Sequence, residues 1–258
     1  MYPYINLWVQ FYTFWISITI CFFLFIWMLF KMSKRLNYSF DLFKNNILWF
    51  FISTLFFWRI FYIISNWHEQ RHIKDFKDFF VMTDYNFSLM WCLAWFFLVL
   101  IILVKLRKEK IDNYIYWVVL SLFFIFPVWF FWALLWWQVY WLDTNFWFEI
   151  SYTNKYTTIP YTSPIFPLAI FYSIIFFIAF CLLYISQMYV KEKNILWYAW
   201  ILVFSCVIFM MEFFNWKPVD LFKENIWLNL SQVCAVIIFW VVGYHVFKLY
   251  KKETRRWR

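Results

Sequence analysis

Lys105-Leu106-Arg107-Lys108-Glu109-Lys110-Ile111-Asp112 is the densest interior run of charge in a chain that is otherwise mostly apolar. It closes one long apolar segment and precedes another. Four of its eight residues are basic, and basic loops stay on the cytoplasmic (or matrix) side of a membrane. Placing this loop therefore assigns a side to every other loop.

Apolar runs of membrane-spanning length recur on both sides of it. The chain has 258 residues, 66% of them hydrophobic, 30% aromatic and only 14% charged. A soluble domain carries about 25% charged residues. These features predict an all-α, polytopic bundle forming one transmembrane domain over residues 1–258, with no separate soluble domain. The net charge of +9 is spread over the ends of apolar runs, where basic residues anchor and orient helices, so no nucleic-acid partner is expected. Cys21, Cys92, Cys181, Cys206 and Cys234 all fall inside apolar runs, which argues against a disulfide framework. The first residues lack a basic stretch and a small-residue cleavage site, so the first run is read as a retained span.

Seven spans are expected, at about residues 9–30, 46–65, 86–104, 114–141, 165–188, 195–214 and 226–247. Counting Lys and Arg in alternate loops gives sixteen on one side and six on the other, with Arg59 inside a span. The bias predicts the N-terminus outside and the C-terminus inside. The basic tail Lys248–Arg258 is expected to meet anionic headgroups. Pro127 is expected to kink the fourth span.

Three features could carry chemistry. Arg59 lies within the second span and Glu212 near the outer end of the sixth, at similar depth. A charge at such depth is costly unless it is paired or faces water, so the two either pair or snorkel separately to the outer interface. His68-Glu69-Gln70-Arg71-His72 spells H-E-x-x-H, which on a helix sets two imidazoles one turn apart for zinc with a Glu as base. No third His stands nearby, and a solvated interfacial loop is the favoured reading, with His68 and His72 as weak metal candidates. A single glycine excludes Gly-rich phosphate loops, and no cofactor is expected.

Taken in order, several segments resemble the bacterial prolipoprotein diacylglyceryl transferase family. They are Tyr12 in QFYTFW, SKRLNYSFDLF at 33–43, FWRIFYI at 57–63 followed by Asn66–Trp67, and NFSLMWCL at 86–93. RKEKID at 107–112, IPYTSPIFP at 159–167, the surroundings of Glu212 and LNLSQ at 228–232 follow. The resemblance covers nearly the whole chain. It implies a phosphatidylglycerol-like lipid and a prelipoprotein as partners, and transfer of a diacylglyceryl group to a lipobox Cys thiol. It also implies Arg59 and Glu212 in catalytic positions, with Tyr12, Ser88, Gln138 and Gln232 binding substrate. Met90 stands where the family has its third-span His, Phe130 and Ile208 where it has Arg, and Phe166 where it has a His before Pro167. The resemblance is therefore to a member degenerate at its active site.

Trp91, Trp95, Trp129, Trp132, Trp137 and Trp227 stand where the family has Gly. A codon read as Trp that is translated as Gly would account for one Gly beside 21 Trp, and peptide masses at these positions decide it. A different class of function fits the aromatic, Gly-poor composition: a noncatalytic structural subunit of a large membrane complex. A membrane zinc protease is a distant third. The expected location is the bacterial inner membrane, with the mitochondrial inner membrane as the alternative.

Overall fold

The computed structural model describes residues 4–6, 10–36, 39–65, 89–136, 167–190, 193–214 and 228–254. Among them the chain forms seven α-helices: α1 Thr13–Leu36, α2 Asp41–Ser65, α3 Leu89–Leu106, α4 Asp112–Trp136, α5 Leu168–Tyr189, α6 Lys193–Met211 and α7 Leu230–Thr254. A 3₁₀ turn, Glu212–Phe214, extends α6. Each helix overlaps one of the seven apolar stretches. Five of them, α1 and α4 to α7, are long and apolar enough to cross a membrane. The apolar part of α3, Cys92–Leu106, is shorter, and α2 interrupts its apolar run with Asn45, Asn46, Ser53 and Thr54.

The described residues bear out the all-α class, with one short extended element ahead of the helices. Tyr4–Asn6 (β1) and Gln10–Tyr12 (β2) form a short antiparallel pair, Tyr4 opposite Tyr12. Tyr, Ile and Phe favour extended backbone, and Tyr12 thus lies in β2, one residue before α1, rather than inside the first span.

The loop Arg107–Ile111 is shaped by the end of α3. The Lys108 amide donates to the Lys105 carbonyl and the Glu109 amide to that of Val104, at 3.0 and 3.1 Å. These two bonds make a Schellman cap, whose left-handed position is usually a glycine. Here Lys108 fills it, with φ 56°. The Arg107 guanidinium donates to the Asp41 carbonyl, 3.4 Å away, so the start of α2 lies beside the end of α3.

α4 is the central helix: 61% of its spanning segment is buried, against 6% for α7. The closest backbone packing joins α4 to α5, α1 to α4, α6 to α7 and α2 to α3. Burial of apolar side chains does not by itself hold helices together in lipid, so packing and polar contacts must. Aromatic rings supply much of the packing. Phe126 stacks on Phe204 at 5.2 Å and Phe130 on Phe176 at 5.5 Å, tying α4 to α6 and α5. α4 continues as a helix through Pro127, and Ser173 of α5 donates to the Pro127 carbonyl at 2.8 Å.

Candidate functional site

The far ends of α4 and α6 and the starts of α5 and α7 meet at the opposite end of the bundle from the Lys105–Asp112 loop. α7 begins with a reciprocal cap. Asn229 Oδ1 accepts from the Gln232 amide at 2.9 Å, and Gln232 Oε1 accepts from the Asn229 amide at 3.0 Å. This is the geometry of a capping box, here with Asn and Gln. The spare donors of both side chains reach across to α6 and its terminal turn. Asn229 Nδ2 donates to Glu212 Oε2 at 2.8 Å, and Gln232 Nε2 to the Phe209 carbonyl at 3.3 Å. Asn229 and Gln232 are 6% and 2% exposed, so the cluster is set into the bundle. It fixes Glu212 as a hydrogen-bond acceptor at a helix junction.

Tyr172, 1% exposed, stands in electrostatic range of Glu212. Its hydroxyl is buried without a hydrogen-bond partner among the described residues. Its ring stacks on Phe130 at 4.5 Å. Phe130, Met90 and Ile208 are 4%, 5% and 3% exposed and belong to the core. Three of the four positions at which the resemblance calls for Arg or His are therefore filled by packed apolar side chains, and the fourth, Phe166, lies outside the described residues. None of the side chains named in this cluster is cationic, so what the cluster offers a ligand is a carboxylate and amides, not a phosphate clamp.

The expected site residues are brought together only in part. Glu212 and Gln232 are joined through Asn229. Arg59 lies in α2, but its side chain is outside the described residues, as are Ser88, Gln138, His68 and His72. The Arg59–Glu212 pair and the H-E-x-x-H reading thus also lie outside them. Among the described residues no group of His, Cys, Asp and Glu could hold a metal ion. Asn229 and Tyr172 went unremarked in the sequence. The N-L-S-Q spacing was a legible signal for the first, and nothing local marks the second.

The opposite end carries a second set of polar contacts. Tyr198 OH donates to Asp112 Oδ1, and Tyr114 OH to Glu109 Oε2. Tyr116 OH donates to Gln187 Oε1 at 2.6 Å, and Arg35 Nη1 to Tyr184 OH at 3.0 Å. They bind α1, α4, α5 and α6 around the basic loop. No family model and no curated protein matches this sequence.

Proposed function

We propose that this chain is a seven-span membrane protein, N-terminus outside and C-terminus inside, built like a diacylglyceryl transferase but binding phospholipid without transferring it. The observation that carries the reading is the burial of Met90, Phe130 and Ile208 in the packed core. Alkylating the thiol with the diacylglyceryl carbon needs a base to take the thiol proton, and the glycerol-phosphate leaving group needs a cationic partner. Those three side chains supply neither, and Glu212 is engaged by the Asn229 side-chain amide. The test mixes purified protein with radiolabelled phosphatidylglycerol and a lipobox peptide. No transfer is expected above that of an empty vesicle. Transfer that disappears in both Glu212→Ala and Arg59→Ala would overturn the reading and make the chain an active enzyme.

A structural subunit of a larger membrane complex is the second reading, and α7 favours it. Trp240, Tyr244 and Phe247 are 73%, 71% and 63% exposed along it. Trp and Tyr favour membrane interfaces or protein contacts over the bilayer centre, and Trp240 falls near the middle of the span Ser231–Lys251. Migration in mild detergent as a stable larger assembly with other subunits would support this reading; a monomer would count against it.

A further inference from the structure

α2 and α3 pack closely on each other but meet α1 and α4 through aromatic rings. Phe22 touches Phe51 at 4.9 Å, Phe25 touches Phe96 at 5.4 Å and Phe43 touches Trp117 at 5.7 Å. Interaxial distance follows the side chains at the contact, and close approach needs small ones. Rings that meet edge to face hold the helices apart and leave a gap behind them. The gap is a cleft of about 160 Å³ between the four helices. Phe22, Ile47, Phe50, Leu93, Phe96 and Leu122 are among its walls, and among the described residues no charged side chain lines it. Thr54, Cys92 and the Trp129 indole are its only polar groups among the described residues.

The lining chemistry selects the occupant. A void of about 150 Å³ walled by Leu, Ile and Phe stays dry and accepts a six-carbon ring. Hydrocarbon, not water, therefore belongs in this cleft. Along α2 the lining runs from Phe43 to Thr54, about 16 Å at 1.5 Å per residue. That is about half of the ~30 Å hydrocarbon core, the depth of one leaflet.

The Phe43 end of the cleft is rimmed with positive charge. Lys31, Lys34, Arg35, Lys44 and Lys105 are exposed there. Lys31 and Lys34 lie over the rings of Trp27 and Phe30 at 5.0 and 4.4 Å, and Arg35 donates to a tyrosine. None of these five is held by a carboxylate among the described residues. The charge calls for an anion at the end of the bundle toward which the hydrocarbon slot runs.

The geometry points to an anionic phospholipid from the leaflet at the basic end, with one acyl chain in the α1–α4 cleft and its phosphate beside Lys31 and Lys44. The assignment rests on the membrane-spanning reading of these helices, and not on the likeness to a transferase.

Full-length protein in vesicles would be photolysed with phosphatidylglycerol or phosphatidylcholine carrying a diazirine on one acyl chain. Adducts are expected to concentrate on cleft residues such as Phe22, Ile47, Phe51 and Cys92. The anionic lipid should be favoured by roughly fivefold per neighbouring cation. Lys31→Gln with Lys44→Gln should bring the phosphatidylglycerol yield down toward that of phosphatidylcholine. Thr54→Phe fills the cleft while removing an unpartnered buried hydroxyl, and should abolish the cleft adducts. Adducts spread evenly over outward residues such as Phe23, Ile52 and Phe177, or equal yields from the two headgroups, would overturn the assignment. The wild-type map decides even if Thr54→Phe does not fold. Because the readout is an adduct and not a product, it stands or falls separately from the transfer assay.

Discussion

The ring of Phe130 lies flat on that of Tyr172, centroids 4.5 Å apart and planes 15° from parallel. This contact joins the far half of α4 to the first turns of α5 at the level of Glu212. Phe130→Ala should lower stability by about 3 kcal/mol or more, the usual cost of emptying a buried aromatic site. Phe130→Arg should be worse, since it places a cation at a 4% exposed position with no partner among the rings around it. Resistance to thermal unfolding in detergent measures both. A well-folded Phe130→Arg protein that transfers diacylglyceryl groups would contradict the core role given to this residue.

Tyr172→Phe removes a buried hydroxyl that has no hydrogen-bond partner among the described residues. Leaving such a group unpaired costs about 1–3 kcal/mol, so the variant should be as stable as the parent or more so. The same unfolding measurement checks the sign. A loss of 1 kcal/mol or more would mean the hydroxyl is satisfied in the membrane by a group such as a lipid oxygen.

Asn229 serves two partners at once, the α7 cap and Glu212. Asn229→Ala should cost about 1–3 kcal/mol and raise amide exchange in the first turn of α7. Asn229→Asp retains the cap but sets two carboxylates together. Combining it with Glu212→Gln should recover most of the loss. A double-mutant cycle showing no coupling would mean that the 2.8 Å contact carries no energy.

Lys108 occupies a left-handed position at φ 56°, a conformation that costs a side-chain-bearing residue about 1–2 kcal/mol. Lys108→Gly should therefore stabilise the protein by up to about 1 kcal/mol, part of the gain being lost to the greater freedom of glycine in the unfolded chain. Lys108→Ala should not stabilise. Equal effects of the two substitutions would show that charge, not backbone strain, governs the loop.

The orientation is open to direct measurement. With the five native cysteines replaced, single cysteines at Lys110 and Lys155 should react with a membrane-impermeant maleimide from opposite sides of sealed vesicles. Labelling from the same side would break the alternation on which N-out, C-in rests.

The positions of the helices were legible because runs of apolar residues bounded by charge, such as the one that ends at Lys105, need no knowledge of neighbours. Their packing was not. These helices are apolar nearly all round, so no face marks itself as inner, and only the assembled structure shows α4 at the centre and α7 at the rim. Tyr12 was misplaced into a span because its aromatic flanks read equally well as strand or helix. At the candidate site Glu212 stood out as a carboxylate in an apolar run. Its partner Asn229 hid in a loop whose capping spacing was readable but unremarked. Tyr172, one of 18 tyrosines, had no local signature at all.

α1 packs closely on α4, three helices further along the chain, rather than on its sequence neighbour α2. During synthesis α4 is completed about 100 residues after α1, roughly 5–20 s at ordinary elongation rates. On the seven-span reading proposed above, the first helix would spend that interval in the bilayer without its principal partner, next to an α2–α3 pair that already has its own. On that reading the final arrangement is reached only once the fourth helix has entered the membrane.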